Sequence, residues 1–169
     1  MGYQSLNRRY VILAASLVIA LDQWTKWLVV RHFIPGASRD LIPGYLSLTY
    51  VQNSGGAFGI LQHSTALLAA IALIALSAVG VYLGRNARHL NALTVFAIAL
   101  PVGGAVGNLC DRVRLRYVVD FLDAHVGTHQ WPVFNVADSS ICIGVALLLL
   151  INWKSSSQAS NVTPHSVKE

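Results

Sequence analysis

Charged side chains are scarce in this chain, and their scarcity is the first observation that narrows its class. They make up 11% of the 169 residues, whereas 54% are hydrophobic and the mean hydropathy is +0.55. Soluble domains carry about 25% charged residues, so this composition excludes an ordinary soluble fold and indicates a membrane protein. The net charge of +5 comes from scattered basic residues without a nucleic-acid-binding motif. We therefore expect no nucleic acid partner.

Residues that form disulfides or bind metals are also few. Cys110 and Cys142 both lie in or at the end of apolar stretches. They supply neither a disulfide framework nor a metal-type spacing, and we interpret both as small buried hydrophobes. His125 and His129 are four residues apart, but the glycine and threonine between them favour a loop and no third ligand is evident. A catalytic metal site usually has three protein ligands, so the sequence predicts neither a metal nor a cofactor.

Apolar segments of membrane-spanning length are abundant. Four of them run over Tyr10–Val30, Thr65–Leu83, Ala92–Cys110 and Asp138–Trp153. About 20 apolar residues cross the ~30 Å hydrocarbon core of a bilayer, so each segment predicts a transmembrane helix. No small-residue cleavage site follows the first segment, and we interpret it as a retained helix rather than a signal peptide. Small residues in the second half of the third segment predict close packing against its neighbours at the centre of the bundle.

Two long connections, residues 31–64 and 111–137, fall on the same side of these four helices. The first contains Tyr45–Val51, a partly alternating run that predicts a β-strand. The predicted fold class is therefore a membrane all-α protein with four transmembrane helices and a small extramembrane β-sheet, in one domain over residues 1–169. The polar, Ser-rich tail, residues 155–169, is predicted to be disordered.

The orientation of the chain in the membrane is not decided by its basic residues. The 12 Lys and Arg residues divide evenly between the two sides, which leaves the positive-inside count tied. The aspartates all lie toward the side with the long connections. This asymmetry favours cytoplasmic termini and indicates which side carries the chemistry.

Asp120 and Asp138 are the residues that point to chemistry. Asp120 lies between valines and Phe121, and Asp138 begins the last apolar segment. A carboxylate beside hydrocarbon is costly, so a functional role is the first expectation. The structural alternatives are a helix N-cap for Asp138 and an outward position on an edge strand for Asp120. Together the two carboxyl groups could share a proton and activate a water molecule.

Their surroundings should favour different protonation states for the two carboxyl groups. A helix N-terminus favours the ionised form of Asp138. Desolvation by valines and Phe121 favours the neutral form of Asp120. We therefore expect Asp138 to be the base and Asp120 the acid at rest.

Polar residues on the apolar segments form a second group. The spacing of Asn108, Asp111 and Arg112 places them on one helix face. They are either an interfacial helix end, in which Asp111 pairs with Arg112, or groups that orient the aspartates and bind substrate. Asp22 and Lys26 have the i,i+4 spacing of a helical ion pair.

Residues around the aspartates complete the candidate site. Asn53, in a Gly-rich turn, is placed to reach over the site, although Asn-x-Gly is mostly a turn signal. Asn135 adds a polar group just before Asp138, and Ala137 leaves space beside its carboxylate. Four tryptophans are interpreted as interfacial anchors: Trp24, Trp27, Trp131 and Trp153.

Two other classes of membrane protein use buried aspartates. A small transporter would relay protons through them. An assembly subunit would keep them for structural reasons alone. Transport folds usually show internal repeats and broken helices in matching halves, and none is visible in this sequence.

With these residues in place, the chain resembles the lipoprotein signal peptidase family (signal peptidase II). The resemblance rests on five blocks in the family's order: Asp22–Lys26, Asn53–Phe58, Gly104–Arg112, Val119–Phe121 and Phe134–Asp138. It implies an aspartic endopeptidase of the bacterial inner membrane, with four spans, both termini in the cytoplasm, and a β-sheet and active site at the periplasmic face.

The resemblance also implies a substrate and residue roles. The substrate would be a prolipoprotein with a diacylglyceryl-modified cysteine, cleaved just before that cysteine by an enzyme that globomycin blocks. Apart from the resemblance, we expect a monomer that uses no cofactor. Asp120 and Asp138 would form the catalytic dyad. Supporting or substrate-binding roles would fall to Asn53, Gly104, Asn108, Arg112, Asn135 and Ala137. Structural polar roles would fall to Asp22, Lys26 and Asp111.

Overall fold

Four long helices and a small antiparallel sheet make up residues 3–56 and 60–160, the part of the chain that the computed structural model describes. The helices are α1 (Tyr3–His32), α2 (Thr65–Asn86), α3 (Ala92–Leu115) and α4 (Val136–Ser160). The strands are β1 (Ser38–Ile42), β2 (Leu46–Asn53), β3 (Val118–Val126) and β4 (His129–Gln130). Each helix contains a stretch long and apolar enough to cross a membrane. The predicted fold class is confirmed.

The helices extend beyond the apolar segments from which they were predicted. α3 continues past Cys110 through a polar turn and ends at Leu115, where Arg116 takes a left-handed conformation with φ 69°. α4 continues to Ser160, so the prediction of disorder is wrong for residues 155–160. Those residues include no Gly or Pro, and lengthening an existing helix costs far less than starting a new one. Residues 161–169 lie outside the described residues.

α3 is the central helix, as its small residues predicted. It packs against α1, α2 and α4. Gly103 shows how close the approach is, because a Cβ atom there would lie 2.7 Å from Cβ of Val18 in α1. By contrast α2 has no buried residue and contacts the bundle along one side. The polar end of α3 is therefore held between α1 and α4.

The sheet has the strand order β1-β2-β3-β4, with every neighbouring pair antiparallel. The strand predicted around Tyr45–Val51 is confirmed as β2. Asp120 in β3 lies opposite Val51 in β2. Asp120 is buried, so the alternative of an outward position on an edge strand is wrong.

A small apolar core attaches the sheet to the ends of the helices. It is formed by Val29 of α1, Tyr50 of β2, and Val119 and Phe121 of β3, all buried. Neighbouring residues of a strand point to opposite faces. Because Val119 and Phe121 point into this core, Asp120 between them points the other way.

Candidate active site

A cavity of about 680 Å³ lies where the sheet meets α3 and α4. Both aspartates singled out in the sequence line it. So do three of the predicted supporting residues: Asn53, Asn108 and Arg112. The structure thus brings together polar residues from β2, α3, β3 and α4.

Asp120 is held on the cavity wall by two carboxamides. Its Oδ2 accepts a hydrogen bond from Asn53 Nδ2 at 2.9 Å, and its Oδ1 accepts one from Asn135 Nδ2 at 2.7 Å. The side chain is only 2% exposed. Burial, and next the negative charge of Asp138, raise the pKa of Asp120 to about 7, against the opposing effect of the two carboxamide bonds.

Asp138 lies in the first turn of α4, but it is not the cap of that helix. Asn135 is the cap: its Oδ1 accepts the Asp138 backbone N–H at 2.9 Å, and Asp138 Oδ2 accepts the Asn135 backbone N–H at 3.2 Å. This reciprocal pair is a capping box. The N-cap interpretation of Asp138 is wrong, because the helix begins two residues earlier than the carboxylate. Asp138 Oδ1 also accepts a bond from Asn108 Nδ2 at 2.8 Å.

Asn135 connects the two aspartates. The Phe134 backbone pairs with Leu122 of β3, with its N–H donating to Leu122 O at 3.0 Å and its oxygen accepting the Leu122 N–H at 2.7 Å. This pairing places the next residue, Asn135, beside Asp120. A single fully buried asparagine therefore bonds to Asp120 through its side chain and to Asp138 through its backbone and side chain.

A buried ion network lies behind the cavity. Lys26 Nζ is 2.9 Å from Asp22 Oδ2, which confirms the i,i+4 pair, and 2.9 Å from Asp111 Oδ2. It also donates to Asn108 Oδ1 at 2.9 Å. The predicted alternative of an Asp111–Arg112 pair is wrong, because Asp111 faces α1 and is 2% exposed, whereas Arg112 lines the cavity.

The network also fixes the chain segments that carry the two cavity aspartates. Asp22 Oδ1 accepts the backbone N–H of Ala137 at 2.9 Å, one residue before Asp138. Asp111 Oδ2 accepts the backbone N–H of Val119 at 3.1 Å, one residue before Asp120. The first turn of α4 and the start of β3 are therefore both attached to the same buried charges.

Three of the predicted supporting residues, Asn53, Arg112 and Gly104, make further contacts with the backbone near the cavity. Asn53 Oδ1 accepts the Gly55 N–H at 2.9 Å, so this side chain makes the predicted turn and reaches Asp120 as well. Arg112 Nη2 donates to Gly55 O at 3.2 Å. Gly104 of α3 lies against the backbone of Ala137, and a Cβ on it would overlap the Ala137 carbonyl oxygen.

Sequence reasoning missed Gln23, which completes the ion network. Its Nε2 donates to Asp111 Oδ1 at 2.9 Å and to Gly107 O at 3.2 Å. The available signal was a carboxamide next to Asp22 inside an apolar segment. A polar side chain there has to find partners within the bundle.

A tyrosine pair near the cavity was also missed. Gln52 Nε2 donates to the hydroxyl oxygens of Tyr117 and Tyr50 at 3.0 and 3.2 Å. The hydrogen bond with Tyr50, followed by burial, raises the pKa of Tyr117 to about 12. Gln52 lines the cavity, so this cluster supports its wall.

The histidines and the cysteines considered as metal ligands lie on different elements, the histidines in the sheet and the cysteines in α3 and α4. His125 and His129 lie in the hairpin of β3 and β4, and no group of three or more His, Cys, Asp or Glu in residues 3–56 and 60–160 is placed to hold a metal ion. Both cysteines are free thiols. The prediction that they are buried is wrong: Cys110 is half-buried, and Cys142 is exposed because it lines the cavity instead of a packed core.

Comparison with known proteins gives consistent matches over most of the chain. The family model for signal peptidase (SPase) II matches residues 14–154. The chain is 45% identical over 149 residues to the lipoprotein signal peptidase of Syntrophotalea carbinolica, covering 86% of this chain and 92% of that protein. It is 44% identical over 138 residues to that of Halalkalibacterium halodurans, covering 82% and 88%. A solved structure described as a bacterial membrane enzyme matches with a TM-score of 0.82 and 36% identity over 94% of both chains.

Proposed function

This chain belongs to the signal peptidase II family of proteases, and from that membership we propose that it removes signal peptides from bacterial prolipoproteins. The proposed substrate carries diacylglycerol on the cysteine that follows the cleaved bond. Four membrane-length helices make the protein multi-pass, which suits a substrate that is itself held in the bilayer. Family membership favours proteolysis over the transport and assembly alternatives.

The observation that carries the proposed mechanism is the placement of Asp120 and Asp138 on one cavity, joined by Asn135. An aspartic endopeptidase needs one carboxyl group that gives a proton and one carboxylate that takes one. The raised pKa of Asp120 suits the acid. The position of Asp138 in the first turn of a helix, with donors on both oxygens, suits the base.

In the proposed reaction Asp138 takes a proton from water as the water oxygen attacks the scissile carbonyl carbon. Asp120 gives its proton to the carbonyl oxygen, and a neutral tetrahedral diol forms. Asp138 then gives its proton to the amide nitrogen, the C–N bond breaks, and one hydroxyl proton of the diol returns to Asp120. The products are a signal peptide with a new carboxyl group and a lipoprotein with an N-terminal cysteine. Both aspartates end in their starting states.

The other polar residues are proposed to hold this arrangement and the substrate. Asn53 and Asn135 orient Asp120, and Asn108 orients Asp138. Arg112, on the cavity wall, is placed to bind the substrate backbone. Globomycin, the inhibitor implied by the family resemblance, is proposed to occupy the same cavity.

The membrane is proposed to do part of the recognition. The cavity lies at the end of the bundle that carries the sheet, so the acyl chains can stay in lipid while the peptide backbone enters the polar slot. We place this end at the periplasmic face of the inner membrane, with both termini in the cytoplasm, and we expect a monomer.

The test is cleavage of a diacylglyceryl-modified prolipoprotein by the purified protein. Wild-type protein should release the signal peptide, with or without a chelator. Asp120→Asn and Asp138→Asn should each lower kcat by about 10³-fold or more, since each removes one half of the proton transfer.

Asp123→Asn is the matched control. Asp123 lies on the same strand and is buried, but it accepts hydrogen bonds from Thr49 Oγ1 and Gln130 Nε2 and does not line the cavity. The same change of charge there should leave cleavage intact. Activity that survives Asp120→Asn or Asp138→Asn, or is abolished by a chelator, would refute the dyad mechanism.

A further inference from the structure

Lys26 is connected to the cavity through one of its three hydrogen bonds. Its ammonium already lies between Asp22 and Asp111, and the side chain is 3% exposed. These two carboxylates accept from two of its three N–H donors. The third donor bonds to Oδ1 of Asn108, whose other end reaches Asp138.

The bond matters because a carboxamide has two nearly isosteric ends. Asn108 Oδ1 accepts from Lys26 Nζ at 2.9 Å and from Asn135 Nδ2 at 3.2 Å, while Nδ2 donates to Asp138 Oδ1 at 2.8 Å. Turning the group over would place its oxygen against the carboxylate and its NH₂ against the ammonium. The lysine charge therefore stabilises, together with Asn135 Nδ2, the orientation in which Asn108 donates to Asp138.

We propose that Lys26 is a positioning residue for the cleavage reaction: it fixes the Asn108 carboxamide, and Asn108 in turn holds the Asp138 carboxylate in place for water activation. This inference rests on the proposed function. It adds a second role to Lys26, since the acceptor of its third hydrogen bond is the residue that donates to Asp138. A misplaced base lowers the rate of chemistry while substrate binding is kept.

The experiment is a double-mutant cycle on kcat with the same lipidated substrate. Lys26→Met and Asn108→Leu should each lower kcat by about 10- to 100-fold. KM for Lys26→Met should stay within about threefold of wild type. If Lys26 acts through Asn108, adding Lys26→Met to Asn108→Leu should change kcat by less than about threefold.

A purely structural role predicts a different outcome. The two substitutions would then act independently, and the effects on kcat would multiply in the double variant. Multiplying effects, or an unchanged kcat in folded Lys26→Met protein, would overturn the inference. Wild-type protein that cleaves no lipidated substrate would refute the proposed function instead, so the two failures are distinguishable.

Lys26→Met leaves two buried carboxylates without their cation, and the variant risks not folding. In that case the cycle is run with Asp22→Asn in all four proteins, including the reference. Asp111 is then the one carboxylate that loses the ammonium, and it keeps its bonds from Gln23 Nε2 and the Val119 N–H. The same non-additivity is expected, and multiplying effects would overturn the inference there too.

Discussion

Asp120 is a carboxyl group whose surroundings oppose its charge while its hydrogen-bond partners support it. The side chain is almost fully buried and lies near the negative charge of Asp138, yet both oxygens accept bonds from carboxamides. Burial is the larger effect, and the pKa rises to about 7. A group held this way can give up a proton near neutral pH and still be oriented after it has done so.

The raised pKa predicts how stability depends on pH. The folded protein binds the Asp120 proton more tightly than the unfolded chain, so this contribution is complete below about pH 4 and is lost as the pH rises to about 7. Asp120→Asn cannot ionise and escapes that loss. The stability of Asp120→Asn relative to wild type should therefore increase by on the order of 3 kcal/mol between pH 4 and pH 8. Thermal unfolding in detergent at a series of pH values measures this difference in stability. A difference that does not change with pH would contradict the raised pKa of Asp120.

At the scale of single residues, sequence reasoning found the chemical groups but not all of their partners. Asp120 and Asp138 were visible because each carboxylate interrupts an apolar run. Asp22 and Lys26 were visible because helical spacing alone makes them neighbours. The bond from Lys26 to Asn108 joins residues 82 positions apart, and no local pattern reports such a contact.

Among the elements, the approach of α4 to α3 decides where Asp138 lies. The capping box starts α4 at Val136, and Gly104 lets the backbone of that first turn lie directly on α3. The sequence predicted close packing from the small residues of α3. It placed the start of α4 at Asp138, two residues late, because the continuous apolar run begins after the polar residues of the capping box.

Gly104→Ala tests this close approach. The new Cβ would overlap the Ala137 carbonyl oxygen and lie 2.8 Å from Cγ1 of Ile141, so α4 has to move away from α3. We expect a loss of about 1–3 kcal/mol in stability, as for other overpacked sites. We also expect at least a tenfold lower kcat, because Asp138 moves with the helix. Melting temperature and cleavage rate measure the two effects.

Gly80→Ala is the matched control, since Gly80 lies in α2 and a Cβ there would meet no atom within 4 Å. Alanine is the better helix former by about 1 kcal/mol, so this variant should be as stable as wild type or slightly more so, with unchanged cleavage. Wild-type stability and activity in Gly104→Ala would show that α4 does not depend on this contact.

Across the whole molecule, the bilayer explains why one end of the bundle carries the site. Four helices satisfy their own backbone hydrogen bonds in lipid, whereas strands and irregular segments have to lie outside the hydrocarbon region. Hydropathy was sufficient to predict the four helices. It also predicted that the two long connections lie on the same side of them. The register of β2 with β3, which sets Val51 opposite Asp120, and the return of Phe134 to Leu122 depend on contacts between distant segments. Those features became visible only in the structure.

The most direct test of the account is the source of the oxygen atom that enters the product. In a single turnover with excess enzyme in H₂¹⁸O, a water activated by Asp120 and Asp138 should place one ¹⁸O in the new carboxyl group of every released signal peptide and leave both aspartates unlabelled. A first turnover that releases unlabelled signal peptide, with ¹⁸O appearing in Asp120 or Asp138, would show that a carboxylate attacked the substrate itself and would contradict the account.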